Sequence, residues 1–164
     1  DEFPHPATMY GVNKRYGEEL GRYYDRHYRR LDPTPAAGRV DFRALRYPGL
    51  LAADSLPSGG TSDFAPEMIH AAARGVPYPC FVRPDTRIPL MTMPDAVDAA
   101  LALMAAPKGR LTRGVYNVSA FAPSAGELAG LLAQAFPGWS TTAAVHPGRQ
   151  GIVDTWPADL DVSA

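Results

Sequence analysis

Short strand-like runs alternate with helix-like runs along nearly the whole chain, and prolines and glycines separate them. Seventeen prolines and fifteen glycines among 164 residues keep the elements short, because these residues punctuate helices and strands. Val40 to Tyr47 sets Val40, Phe42, Ala44 and Leu45 against Asp41, Arg43 and Arg46, which predicts a strand stopped by Pro48-Gly49. Tyr78 to Val82, Ile88 to Met93, Val115 to Val118 and Thr141 to Val145 predict further strands. Phe64 to Arg74 reads as a helix ended by Gly75, and Pro94-Asp95 opens a helix over 96–105 whose apolar stripe is expected in the core. Ser124 caps a helix through Phe136, with Glu127 three residues on completing a capping box. Leu31 to Arg39 and Leu56 to Asp63 are loops. Strands interleaved with helices predict an α/β fold.

The longest periodic segment runs from Met9 to about Tyr28. Met9, Val12, Tyr16, Leu20, Tyr23, Tyr24 and Tyr28 recur at steps of three and four, with Thr8 as N-cap. The tyrosine ladder Tyr16, Tyr23 and Tyr24 either packs inside the chain or forms a subunit interface. Tyr10 and Lys14 stand four residues apart at the start of this helix, so they share a face. An ammonium beside a phenol favours the ionised phenol. A phenol tuned in this way can move a proton to or from an alcohol. The pair is a candidate acid/base device.

Composition excludes several functions. A net charge of −1 gives no electrostatic footprint for nucleic acid. The cluster Arg26, Arg29 and Arg30 falls at a helix end, where the dipole favours cations. Cys80 is the sole cysteine, as in a reducing compartment such as the cytoplasm, and is expected to be buried filler. No apolar run is long enough to span a membrane, and no signal peptide is visible at the acidic start Asp1-Glu2. His5, His27, His70 and His146 have no metal-ligand spacing, so no metal is expected. Gly59-Gly60 lacks the lysine of a phosphate cradle, and no G-x-G-x-x-G turn occurs. Arg87 is expected to pair with Asp85 across a turn, and Trp139 to be packing.

Several motifs stand in one order along the chain. They are Pro6-x-Thr8-Met9-Tyr10-Gly11-Val12-Asn13-Lys14, Phe42-Arg43-x-Leu45-Arg46-Tyr47-Pro48-Gly49, Gly59-Gly60-Thr61-Ser62-Asp63 and Pro84-Asp85-Thr86-Arg87-Ile88-Pro89-Leu90-Met91. Tyr116-Asn117-Val118-Ser119, Arg149-Gln150 and Asp154-Thr155-Trp156-Pro157 follow. In this order they resemble the carboxyl-terminal half of an extended short-chain dehydrogenase/reductase, of the epimerase/dehydratase type. Within that superfamily the chain is most similar to the short-chain type of L-threonine 3-dehydrogenase.

The resemblance implies the second half of a Rossmann-type domain over 1–55 and a mainly substrate-binding region over 56–164, with some segments returning to the sheet. It implies NAD as cofactor and oxidation of L-threonine to 2-amino-3-ketobutyrate. Tyr10 would be the acid/base, and Lys14 would hold the nicotinamide ribose. Pro48, Gly49 and Leu50 would meet the nicotinamide end. Thr61 and Ser62 would face the amino acid, and Trp156 would help cover it. A homodimer through the helix of Tyr10 is implied, with no nucleic-acid or membrane partner. The amino-terminal nucleotide-binding half, with its glycine turn, is expected to be missing, and Leu31 to Arg39 reads as an insertion. Two other readings stay open: a sugar-nucleotide epimerase or dehydratase, in which Arg87 would meet a diphosphate, and a non-catalytic interaction module that keeps the fold.

Overall fold

The structure, a computed structural model, describes residues 5–28, 31 and 40–163. The expected insertion, Leu31 apart, and Arg29 and Arg30 lie outside the described residues. The helices and strands fall into two compact units. One comprises the described residues up to Arg46 together with 100–116, and the other comprises 47–99 and 117–163.

In the first unit, α1 spans Met9–Arg22 and continues as one π-helical turn over Tyr23–His27. Thr8 caps it: its side-chain hydroxyl accepts from the Gly11 N–H at 3.1 Å. Strand β1 (Ala44–Arg46) pairs with β5 (Val115–Asn117). Glu18 of α1 takes both prongs of the Arg46 guanidinium, at 2.6 and 2.7 Å. Arg43, held by Asp41, donates to the carbonyls of Leu103, Met104 and Ala106. These carbonyls end the helix α3 (Met93–Ala105), where a cation satisfies acceptors that have no intrahelical partner. No residue of α1 is fully buried; Met9, Val12, Tyr16, Leu20 and Tyr23 form an exposed apolar stripe. Tyr23, Tyr24 and Tyr28 stack on one another at centroid distances of 5.1–6.3 Å.

The second unit holds the core. Helix α2 (Phe64–Ala73) buries Phe64, Ala65, Met68 and Ala72, and α4 (Ala125–Ala135) buries Ala125, Leu128 and Leu132. The helical period brings each set onto one face. They enclose Tyr78, Cys80, Phe81, Val82, Ile88, Leu90, Trp139 and Val153. Strand β3 (Tyr78–Cys80) runs parallel to β6 (Thr141–Ala143), with Tyr78 opposite Thr141. Strand β2 (Gly49–Leu51) runs parallel to β4 (Leu90–Thr92), with Gly49 opposite Leu90. The capping box at Ser124 is present in both directions. Trp139 is buried, and its indole N–H donates to the Val76 carbonyl at 2.8 Å. Cys80 is buried, and burial pushes its thiol pKa up. Among the described residues no helix is long and apolar enough to cross a membrane.

As expected, β1 stops before Pro48-Gly49, at Arg46, but an unforeseen strand, β2, begins at Gly49, immediately after the proline, where a missing N–H does no harm. A Cβ at Gly49 would lie 2.9 Å from Leu90 Cδ2, so only glycine lets β2 approach β4. The stripe on α3 is not core: only Ala96 is buried, while Met93, Val97, Leu101 and Met104 are exposed. Helix α5 (Pro147–Val153) was not foreseen, because Pro147, Gly148 and Gly151 in seven residues argue against a helix.

Gly21 tests the packing of α1. An exposed helical glycine replaced by alanine ordinarily gains about 1 kcal/mol. Here the new Cβ would sit 2.1 Å from the Phe42 ring, and overpacking costs about 1–3 kcal/mol. Gly21→Ala is therefore expected to lower the urea midpoint; a raised midpoint would show that Phe42 does not lie against α1.

Candidate active site

The first turn of α1 presents Tyr10 and Lys14 on one face. Gly11 shapes this turn: a Cβ there would come 2.7 Å from Pro6 Cβ, so glycine lets the preceding chain fold against the helix. The Lys14 ammonium lies 5.1 Å from the centroid of the Tyr10 ring, within cation–π range. Both side chains are exposed, Tyr10 at 72%. Among the described residues the Tyr10 hydroxyl has no hydrogen-bond partner and Lys14 no ion-pair partner. Lys14 lines an open cavity of about 320 Å³ with His5, Pro6, Gly11, Arg15, Glu18 and Arg46. The neighbouring carboxylates are engaged elsewhere. Glu18 binds Arg46, and Glu19 binds Arg15 and Arg22, both at 2.5 Å. The arrangement is a phenol with a cation at its ring, and that cation pairs with no carboxylate among the described residues.

The other expected site residues belong to the second unit. Pro48 precedes β2, and Gly49 and Leu50 lie in it; the Gly49 N–H is already donated to the Pro89 carbonyl at 3.0 Å. Thr61 and Ser62 are half-buried at the entry to α2, and their hydroxyls make no hydrogen bond among the described residues. The turn before them is tightly held. Gly59 has φ +84°, and Asp63 accepts from the Gly60 N–H at 2.7 Å. Arg149 of α5 donates to the carbonyls of Gly59 and Gly60 from the other side. Trp156, half-exposed, follows α5, its N–H donating to the Val153 carbonyl at 3.0 Å. Arg149 of α5 thus reaches the turn that precedes Thr61 and Ser62, and Trp156 follows the same helix along the chain. Sequence reasoning gave Arg149 no role, because its partners lie about ninety residues away and no local pattern links them.

The family model described as "NAD dependent epimerase/dehydratase family" matches residues 1–119. The chain belongs to this family. It is 40% identical to L-threonine 3-dehydrogenase, mitochondrial, of Bos taurus over 158 residues, covering 96% of this chain and 40% of that protein. An L-threonine dehydrogenase structure from Clostridium difficile superposes with a TM-score of 0.86 at 34% identity, over 99% of this chain and 48% of that one. The GalE-like L-threonine dehydrogenase of Cupriavidus necator, in its apo form, gives 0.84 at 36%, over 96% and 53%. The chain spans about half the length of these relatives. Its helices and parallel strands are accordingly the α/β arrangement expected, matched over about half of each solved chain.

Within this epimerase/dehydratase chain, two arginines brace the second unit. Contrary to expectation, Arg87 does not pair with Asp85; it donates to the Ala122 carbonyl at 2.8 Å and to Glu127 at 2.5 Å. Asp85 lies instead 3.3 Å from Arg83. Local spacing suggested the Asp85–Arg87 pair, whereas the chain brings the start of α4 alongside Arg87. Arg83 also grips Asp154 with two bonds, at 2.9 and 3.0 Å. Buried Gln150 donates to Thr86 and to Asp154, and accepts from the Arg83 N–H.

These bonds set a pH dependence. Arg83 and then Gln150 hold the Asp154 carboxyl below its ordinary range, and Arg87 and the Ser124 N–H do the same for Glu127. A depressed folded-state pKa contributes stability that is present above the unfolded value of about 4 and lost as pH falls through the folded value. Asp154→Asn is therefore expected to flatten the acid limb of a thermal-stability profile between about pH 5 and about pH 3. A limb as steep as that of the unaltered chain would remove Asp154 from this role.

Proposed function

We propose that this chain carries the acid/base part of an NAD-dependent oxidoreductase that oxidises the side-chain hydroxyl of L-threonine to 2-amino-3-ketobutyrate. The observation that carries the reading is Tyr10 with the Lys14 ammonium against its ring, on an exposed helical turn of an epimerase/dehydratase chain. The Bos taurus enzyme named for threonine supports the substrate.

NAD, when bound, supplies the hydride acceptor. The residues present suit it. Lys14 offers three N–H donors and pairs with no carboxylate among the described residues, Glu18 in the same cavity being bound to Arg46, which suits vicinal ribose hydroxyls. Tyr10 would take the proton of the substrate hydroxyl while the adjacent C–H leaves as hydride. The balance is a ketone, a reduced nicotinamide and one proton. Pro48, Gly49 and Leu50 would border the nicotinamide end through groups other than the Gly49 N–H, which Pro89 occupies. The free hydroxyls of Thr61 and Ser62 would meet the amino acid, and Trp156 would exclude water from it.

The decisive assay follows NADH absorbance of the full-length parent that carries this chain, since the chain alone spans about half the length of its relatives and is expected to be inactive, with L-threonine and, separately, with UDP-sugars. Threonine-dependent NADH formation that falls at least about a hundredfold in Tyr10→Phe is expected. Turnover of a UDP-sugar without threonine oxidation would favour the epimerase reading. The Arg87 guanidinium, committed to Ala122 and Glu127, argues against a diphosphate there. Absence of any turnover would favour the interaction module.

The exposed stripe of Met9, Val12, Tyr16, Leu20 and Tyr23 supports a homodimer through α1. Replacing Tyr16 and Tyr23 together by glutamate should give a monomer by light scattering; an unchanged mass would place the interface elsewhere.

A further inference from the structure

Arg149 is placed where a helix does not want it. It sits in the first turn of α5, and a cation at a helix N-terminus opposes the dipole. Its position follows from what its guanidinium touches. The guanidinium carbon lies 3.3 Å from the centroid of the Phe81 ring, a stacked cation–π contact. One nitrogen donates to the Gly60 carbonyl and reaches the Gly59 carbonyl at 3.4 Å. The same nitrogen lies 3.9 Å from Glu67, whose other oxygen accepts from the Tyr78 hydroxyl at 2.7 Å.

The Gly60 peptide is therefore gripped from both ends. Asp63 accepts its N–H, and Arg149 takes its carbonyl. A Cβ at Gly60 would lie 2.9 Å from the Asp63 carboxylate, so a larger residue there would have to displace the side chain that accepts the Gly60 N–H. Thr61 and Ser62 follow at once, with unengaged hydroxyls. On the other side, α5 is fixed to the core strand: the His146 N–H donates to the Phe81 carbonyl at 2.9 Å, and His146 caps the Arg149 N–H at 3.2 Å. The chain leaving α5 carries Trp156.

We infer that Arg149 is a positioning residue that locks the Gly59–Ser62 turn to α5, so that the substrate-facing hydroxyls and the Trp156 segment are held as one piece. The inference rests on the proposed threonine reading for what the turn contacts, but the clamp itself does not. Lysine cannot replace arginine here, because a point charge on a flexible stem neither stacks flat on Phe81 nor presents a planar fork.

Arg149→Lys in the full-length parent is the test, read by hydrogen exchange and by steady-state kinetics on the same protein. Amides of 60–62 are expected to exchange about tenfold faster, with those of α2 unchanged. KM for L-threonine is expected to rise about tenfold, with kcat within about twofold and KM for NAD unchanged. Unchanged exchange over 60–62 overturns the clamp, whatever the substrate. Faster exchange with an unchanged threonine KM also overturns it, leaving Arg149 a purely structural residue. If the unaltered protein forms no NADH from threonine, the functional reading fails and the exchange result alone decides the clamp. Should Arg149→Lys unfold, Phe81→Leu removes the stacking surface together with a core contact to Phe64; it must loosen 60–62 while leaving the amides of α2 unchanged for the inference to stand.

Discussion

Phe81 joins the two things the second unit must do. The edge of its ring system meets Phe64 in the core, with centroids 6.2 Å apart and planes near perpendicular. The Arg149 guanidinium lies over its ring, and its carbonyl receives α5 through His146. Burying a phenylalanine contributes about 1.5–3 kcal/mol, and a partly desolvated cation–π contact about 0.5–2 kcal/mol. The first term orders β3 between α2 and α4. The second attaches a short, glycine-containing helix that has little propensity of its own. Without the stack, α5 would keep one cap and the Gln150 network, and the Gly59–Gly60 turn would lose its outer support.

The first unit is organised by charge rather than by burial. Glu18 with Arg46 ties α1 to β1, and Arg43 with Asp41 ends α3. Surface ion pairs are individually weak, worth about 0–1 kcal/mol, but bidentate geometry with several partners gives orientation. This frees the N-terminal turn of α1 from packing duties. Tyr10 and Lys14 then stay exposed, with no hydrogen-bond or ion-pair partner among the described residues, and the proposed proton transfer requires that access. The polar networks of the second unit do comparable work: Gln150 and Asp154 join α5 to Arg83 and Thr86.

Much was legible in local sequence. The Thr8 cap, the Ser124–Glu127 box and the Gly75 stop mark helix ends through bonds made within three or four residues. The Tyr10–Lys14 contact follows from helical periodicity alone. Legibility failed where distant chain decides. Pro48-Gly49 ends β1 as its sequence says, but only Leu90, set against Gly49, shows that a second strand starts there. The α3 stripe looks like core until the packing leaves it uncovered. Arg87 looked like the partner of Asp85, two residues away, but meets Glu127, forty residues on.

Sequence by itself determined the α/β class, the positions and ends of the capped helices, and the shared face of phenol and ammonium. Each rests on periodicity or on short-range hydrogen bonds, which the chain encodes residue by residue. Only the tertiary structure decided which strands pair, which apolar faces stay open, and that Arg149 holds the turn before Thr61. Those outcomes depend on contacts between groups tens of residues apart, whose energies appear only after the core has brought them together.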